Sequence, residues 1–338
     1  MTLWTFIGRQ WTRLPPPPKG EYLKGKVVLI TGANSGIGLE SVKHFCTASP
    51  ALLILAVRSI EASERVLAEL QSLHTDLKGE VISLDLNEME SIKSLPSRLR
   101  ERGIETIDIL INNAGINPGN EAKPAEITKD GYEKTFQTNV LAPVLLSYTL
   151  LPFLKQTSSP LIKSKPKIIF LGSGLHATCN NQPIVDAVER EQSIVEIFNR
   201  EEGFDNKQIY GRSKLLLHMF TRQLIETLVD TSIITVSPGL AITNLGRDFK
   251  MSIGFVIFGA PFMLLNARSA EKGARNLTSA VASAEQSYDY WAECGPSYSE
   301  SSWLSSGQGV RASKAFYKEM IDEIEKISPG VTKAVVAS

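Results

Sequence analysis

The sequence predicts an α/β protein: a single doubly wound parallel sheet with helices on both faces. Three observations carry this reading. From Lys26 onward, short β-branched or leucine-rich runs alternate with longer stretches of helical character. The runs lack strict apolar–polar alternation, which is the pattern of strands covered on both faces. A glycine-rich turn, Gly32 to Gly38, directly follows the first run and opens a helix. Regular alternation of strand and helix implies right-handed crossovers between parallel neighbours.

Taken in order, Val27-Val28-Leu29-Ile30 reads as the first buried strand, with a helix from about Gly38 to Ala48. Leu52 to Val57 is the second strand, residues 60–73 are helical, and Glu80 to Leu84 is the third strand. A helix over Ser91 to Arg102 leads into a fourth strand at Ile107 to Ile111. One long helix is expected over about Gly131 to Gln156 and a fifth strand at Lys167 to Leu171. Tyr210 to Leu228 is the next helix and Ser232 to Val236 the sixth strand. Two regions break the rhythm. Residues 177–206 are polar and acidic, and Met251 to Asn266 is apolar but interrupted by Gly254, Gly259 and Pro261. The second is too short and broken for a membrane span. Both follow strands at their carboxyl ends, where open α/β sheets bind ligands, and are expected as pocket walls and a lid. The domain reading is an N-terminal arm and Pro-rich spacer over 1–23, then one Rossmann-type domain over 24–338. Its substrate-pocket insertions fall at about 177–206 and 246–310.

The 338 residues are 43% hydrophobic and 21% charged, the profile of a soluble globular protein. Lys+Arg and Asp+Glu balance at 36 each, which gives no reason to expect a nucleic-acid partner. Cys46, Cys179 and Cys294 have no metal-ligand spacing, and their odd number argues against a disulfide framework. A reducing, cytoplasmic location is the expectation. His44, His74, His176 and His218 show no metal spacing either, so no metal is expected; His176, near Ser173, reads as a loop histidine, with contact to substrate as the alternative. The opening residues are amphipathic, with Leu3, Trp4, Phe6, Ile7 and Trp11 beside Arg9 and Arg13, and do not read as a signal peptide. Pro15 to Pro18 forms a stiff spacer. The arm either makes a weak membrane-surface contact or packs on the body of its own or a neighbouring subunit.

The chemistry begins at Thr31-Gly32-Ala33-Asn34-Ser35-Gly36-Ile37-Gly38. Gly32, Gly36 and Gly38 let backbone turn tightly and approach a pyrophosphate, which the following helix N-terminus stabilises. Dinucleotide sites for NAD place a carboxylate about twenty residues further on. Here that place holds Arg58, with Ser59 beside it. A guanidinium pairs with a 2′-phosphate through two hydrogen bonds, which points to NADP(H). A solvated arginine beside a site of dual specificity is the alternative. In Tyr210-Gly211-Arg212-Ser213-Lys214 the tyrosine and lysine project from one helical face. A tyrosine with a pKa near 10 is a poor acid at neutral pH. A neighbouring ammonium stabilises the tyrosinate and makes proton exchange useful.

These motifs, in this order, resemble the short-chain dehydrogenase/reductase family over about residues 24–245. The glycine spacing is that family's rather than the G-x-G-x-x-G of larger dehydrogenases. The resemblance assigns further roles. Asp85 and the backbone of Leu86 would meet the adenine, although Asp85 could equally cap a turn. Asn112-Asn113-Ala114-Gly115 matches the N-N-A-G motif beside the cofactor ribose. Ser173, in Leu171-Gly172-Ser173-Gly174, matches the catalytic serine, while Gly172 departs from the serine usually preceding it. Asn139 matches the asparagine of a water-linked proton path to the lysine. Pro238-Gly239-Leu240-Ala241-Ile242-Thr243 resembles P-G-x-x-x-T, with Ile242 backbone and Thr243 hydroxyl holding the nicotinamide carboxamide. Within the family the chain looks most like the retinol-dehydrogenase-like branch and its fungal secondary-metabolite tailoring reductases. The implied reaction is hydride transfer to a ketone or aldehyde of a bulky, largely apolar small molecule. Rival readings are an enzyme of this fold guiding a non-redox cyclisation or dehydration, and a silent NADP(H)-binding scaffold or sensor. A homodimer or tetramer through the long helices is a family expectation, although the added C-terminal segment could block some interfaces.

Overall fold

The computed structural model describes residues 3–119, 124–154, 165–199, 204–243, 245, 260–283, 286–299 and 301–333. Most of the Met251 to Asn266 stretch therefore lies outside the described residues. The first half alternates β1 (Val27–Thr31), α2 (Gly36–Cys46), β2 (Leu52–Val57), α3 (Ile60–Leu73) and β3 (Gly79–Ser83), after an N-terminal α1 (Leu3–Trp11). Then come α4 (Met89–Lys93), α5 (Leu95–Arg100), β4 (Ile109–Asn112), α6 (Lys134–Phe136), a π turn (Gln137–Leu141) and α7 (Ala142–Leu154). The second half holds β5 (Lys167–Leu171), a 3-10 turn (Gly174–Ala177), α8 (Gln182–Glu189), α9 (Ile194–Phe198), α10 (Asn206–Thr227) and β6 (Ser232–Val236). It closes with α11 (Ala260–Asn266), α12 (Ala270–Ala282), β7 (Tyr288–Ala292), β8 (Gly295–Ser297), a second 3-10 turn (Ser302–Ser305) and α13 (Gly307–Ile327).

One eight-stranded sheet runs in the order β3-β2-β1-β4-β5-β6-β7-β8. Neighbours are parallel as far as β7, and β8 returns antiparallel to it. Successive side chains point to opposite faces of a strand. Val28 and Ile30 accordingly enter one core with Val42 and Phe45 of α2 and Leu277 of α12. Leu29 enters the other with Leu141, Leu145 and the α10 residues Leu216 and Phe220. Two covered faces explain why the strands read as unbroken apolar runs. Full burial of one such side chain contributes about 1.5–3 kcal/mol.

The expected strands and helices are present, with four differences. The sheet does not end at β6: the aromatic run Tyr288-Asp289-Tyr290-Trp291 adds β7. The helix expected over Ser91 to Arg102 is broken at Ser94, where Pro96 opens α5. The long helix starts at Lys134 on a cap built by Glu133, whose carboxylate accepts from the Thr135 and Phe136 amides. It is long and apolar enough to cross a membrane, but most of it is buried within the body. Within the polar stretch after β5, α8 and α9 pack their apolar sides against α13. Of the two expectations for the arm, packing on its own body is what the geometry contains. Arg275 Nη1 donates to the Leu14 and Pro15 carbonyls at 3.4 and 3.3 Å.

Candidate active site

The glycine loop turns on positive φ values at Gly32 (+65°) and Gly36 (+56°). At Gly38 the requirement is space: a Cβ there would lie 2.3 Å from the Gly32 carbonyl oxygen. Ser35 precedes α2 without capping it through its side chain. The first-turn amides, which no helix satisfies internally, stay available to an anion. Ile37 packs its side chain toward Gly273 of α12, and Asn34 sits half-buried at the bend. Thr31 ties the loop to β4, because its Oγ1 accepts from the Asn113 and Ala114 amides, both at 3.0 Å. Asn113 Nδ2 returns a bond to the Thr31 carbonyl at 2.8 Å. The sequence motif contained Thr31, but nothing in the spacing marked it as the strut.

Asn112 does not join this cluster. Its Nδ2 donates to Ser147 of α7 at 3.1 Å, and its Oδ1 is buried without a partner. Alternation along β4 sends Asn112 to the face opposite Asn113. Arg58 and Ser59 are exposed at the carboxyl end of β2, beside the glycine loop, where Gly32 N donates to the Ala56 carbonyl at 3.0 Å. Asp85 forms a turn, its Oδ1 accepting from the Asn87 amide at 2.9 Å. Such a bond is the one the turn-capping reading describes. Leu86 is a core side chain whose carbonyl accepts from Gln137 Nε2 at 3.3 Å.

On the other side of the sheet's carboxyl edge lie the catalytic candidates. Ser173 ends β5 and caps the 3-10 turn, its Oγ accepting from the Leu175 amide at 3.3 Å. At the Tyr210 phenol burial raises the pKa and the Ser173 hydroxyl lowers it. Burial pushes that phenol up to about 12 and the Lys214 ammonium down to about 8. Lys214 Nζ stands 5.8 Å from the Tyr210 ring centroid and donates to the Leu171 carbonyl at 2.7 Å. Asn139 lies in the π turn, a distortion frequent at functional sites. It exchanges both amide atoms with the Ile116 backbone at 2.9 Å and donates to Ser213 Oγ at 3.0 Å. Gly115 is the floor between them: a Cβ there would meet Asn139 Oδ1 at 3.1 Å and Lys214 Nζ at 3.6 Å. The structure thus brings Ser173, Tyr210, Lys214, Asn139 and Gly115 to one place.

The departure at Gly172 has a steric reason. A Cβ there would lie 3.0 Å from Thr235 Cγ2, held in β6 by its bond to Thr221. Gly211 and Arg212 of the tyrosine motif also have work of their own. A Cβ at Gly211 would collide with Cys179 at 2.9 Å, and Arg212 Nε holds the Asn180 carbonyl at 3.0 Å. They anchor the 175–180 segment on the catalytic helix. His176 is buried rather than a surface loop residue. Its Nδ1 donates to the Ser173 carbonyl at 2.6 Å, leaving Nε2 to accept from Ser299 Oγ at 2.8 Å. Burial pushes its pKa down to about 3 and keeps it neutral. Beside it, a cavity of about 120 Å³ is lined by residues including His176, Cys179, Leu215, Ser301 and Trp303.

The Pro238 to Thr243 loop reaches the glycine loop. A Cβ on Gly36 would lie 3.3 Å from Thr243 Cβ. Pro238 turns the chain, its carbonyl accepting from Asn276 at 3.4 Å, and Gly239 takes φ +77°. Ile242, however, has its N–H committed to the Arg268 carbonyl at 2.9 Å. Arg268 N donates in turn to the Leu240 carbonyl at 2.7 Å. In such a bridge the intervening residue faces its backbone polar groups the other way. Ala241 therefore turns its own amide away from Arg268.

The match to known proteins agrees with this geometry. A family model described as short chain dehydrogenase matches residues 26–178. A short chain dehydrogenase of Emericella nidulans is 31% identical over 82% of this chain and 85% of its own. The chain belongs to the short-chain dehydrogenase family. A second fungal member, a short chain dehydrogenase/reductase of Cryptosporiopsis, is 29% identical over 97% of this chain and 98% of its own. Among solved folds, the Pseudomonas aeruginosa RhlG/NADP active-site complex has a TM-score of 0.60 at 22% identity, covering 80% of this chain and 95% of that one. Salutaridine reductase from Papaver somniferum has a TM-score of 0.56 at 18% identity, covering 78% of this chain and 98% of that one. As a short-chain dehydrogenase the protein is an oxidoreductase of a nicotinamide dinucleotide acting on small molecules. The free helix N-terminus, the close glycine backbone and the Gly115 floor fit that group.

Proposed function

We propose that this short-chain dehydrogenase uses NADP(H) to reduce a ketone or aldehyde on a bulky, largely apolar molecule. The observation that carries it is the set of buried Tyr210, Lys214 and Asn139 around the Gly115 floor, with half-buried Ser173 beside them. A bound reduced nicotinamide supplies the hydride. Ser173 donates a hydrogen bond to the substrate carbonyl oxygen, and Tyr210 gives its proton to the alkoxide that develops there. Lys214, charged below about pH 8, steadies the phenolate left behind. Asn139 fixes the Ile116 backbone and Ser213, and Ser213 Oγ donates to the Tyr210 carbonyl at 2.7 Å. Arg58, exposed at the end of β2 with no carboxylate in that position, favours a 2′-phosphate. Exposed apolar side chains at Leu175 and Ile242 support an apolar substrate.

The test is direct. Titration of the purified protein is expected to show NADPH binding more tightly than NADH, with Arg58→Ala removing roughly a tenfold preference or more. Against a panel of bulky ketones and aldehydes, Tyr210→Phe should lower turnover by about 10²–10⁴-fold while leaving NADPH binding in place. Product formed without consumption of the reduced nucleotide would replace this reading with a non-redox one, and tighter NADH binding would remove the NADP(H) assignment.

A further inference from the structure

The N-terminal arm reaches the loop expected to hold the nicotinamide, 230 residues away in sequence. Gln10 of α1 accepts the Leu240 amide on its Oε1 at 3.1 Å. Gln10 is 9% exposed and Arg268, on the opposite side of the same loop, is 4% exposed. Between them Gly239 passes so closely that a Cβ would lie 2.8 Å from Arg268 Nη1 and 3.2 Å from Gln10 Oε1. The arm also reaches Arg268, whose Nη2 donates to the Arg9 carbonyl at 2.5 Å. Arg9 in turn reaches Ser297 of β8 at 3.4 Å. Without the arm, the half-buried Leu240 amide and the buried Arg268 Nη2 would each lose a hydrogen bond, Nη2 keeping Glu293 at 3.9 Å, and such losses are costly where burial limits access to water.

From this geometry we infer that Gln10 is a positioning residue for the nicotinamide loop, so that the N-terminal arm is a working part of the cofactor site. The inference rests on the dinucleotide reading above. Gln10 touches neither cofactor nor substrate; it fixes the Leu240 amide while Arg268 fixes the Leu240 carbonyl and the Ile242 amide. With both edges held, Ala241 keeps its own amide edge turned away from Arg268 and Thr243 stays against Gly36. Loosening one edge lets the loop depart from the conformation the dinucleotide needs. The effect belongs to dinucleotide affinity rather than to the proton transfer at Tyr210.

The experiment measures NADPH binding by fluorescence, KM for NADPH and kcat in the full chain carrying Gln10→Leu, Gln10→Asn or Gln10→Glu. Leucine removes the acceptor at similar size, asparagine withdraws it by one methylene, and glutamate keeps it. Gln10→Leu and Gln10→Asn are expected to weaken NADPH by on the order of tenfold, with kcat at saturating NADPH close to wild type. Gln10→Glu is expected to restore binding. Hydrogen exchange over 238–243 should quicken in the first two variants and not in the third. Wild-type affinity in Gln10→Asn, or equal weakening in all three, overturns the inference. Failure of the wild-type protein to bind either nucleotide is a separate result and overturns the dinucleotide reading itself.

Discussion

Tyr210 and Lys214 are displaced by the same cause in opposite directions, because burial always disfavours the charged form. With the phenol pushed up to about 12, Tyr210 is a proton donor throughout the neutral range. Lys214, pushed down to about 8, loses its charge first as pH rises. Carbonyl reduction is therefore expected to hold steady below about pH 8 and fall above it, as the ammonium facing the forming phenolate is discharged. A pH profile of kcat/KM checks this, and a fall beginning only beyond pH 10 would contradict it. The stability sign runs the other way. Because the folded-state value lies below the ordinary lysine value of 10.5, the charged lysine destabilises the fold at pH 8 and below. That cost fades between about 8 and 10.5, where the unfolded chain binds the extra proton. Lys214→Met should abolish activity and raise Tm at pH 7 in a thermal melt.

At the scale of elements, the site is assembled where β1, β4, β5 and β6 end, and close backbone approach decides which residue types fit. Gly172 shows this best. Restoring the serine usual in the family, Gly172→Ser, places a Cβ 3.0 Å from Thr235 Cγ2 inside a bonded strand. Thr235 must give by a few tenths of an ångström against its bond to Thr221, so the variant is expected to lose about 1–3 kcal/mol. Denaturant unfolding reads the loss, and a neutral result would show that β6 shifts freely. The π turn is the complementary case. By adding a residue to the helical repeat it leaves Asn139 directed at Ile116 and Ser213, an outcome regular α-helical spacing does not predict.

For the molecule as a whole, the C-terminal helix is the feature with most consequence. α13 lies along α10 and buries Phe316, Met320 and Ile324 completely. Tyr317 bonds Tyr148 of α7 at 2.9 Å and stacks on Phe220 of α10 at 5.0 Å. Arg222 of α10 holds the Leu304 carbonyl at 2.8 Å, and Glu319 caps α9 through Ser193 at 2.8 Å. α13 thus covers part of the surface of α7 and α10. Light scattering should read a monomer, or a dimer whose interface leaves Tyr317 and Phe220 protected. Phe316→Ala is expected to cost about 3–5 kcal/mol and lower Tm without changing the mass in solution. A change of oligomeric state in that variant would place the subunit contact on α13 after all.

The sequence by itself determined what depends on short spacing. The glycine loop after β1, the Tyr210–Lys214 pair one helical turn apart, Ser173 at a strand end and the two-faced apolar strands were all legible, because local backbone geometry maps such spacings directly onto space. Only the tertiary structure decided the rest. It turned Asn112 toward α7 and Asn113 toward the glycine loop, and it bonded the Ile242 amide to the Arg268 carbonyl. It added β7 and β8 to the sheet, set His176 against Ser173 and Ser299, and brought Gln10 to Leu240. Each of these is fixed by a partner remote in the chain or by a one-residue register. Such partners are selected by packing and by the cost of leaving buried polar groups unpaired, quantities that no single segment carries.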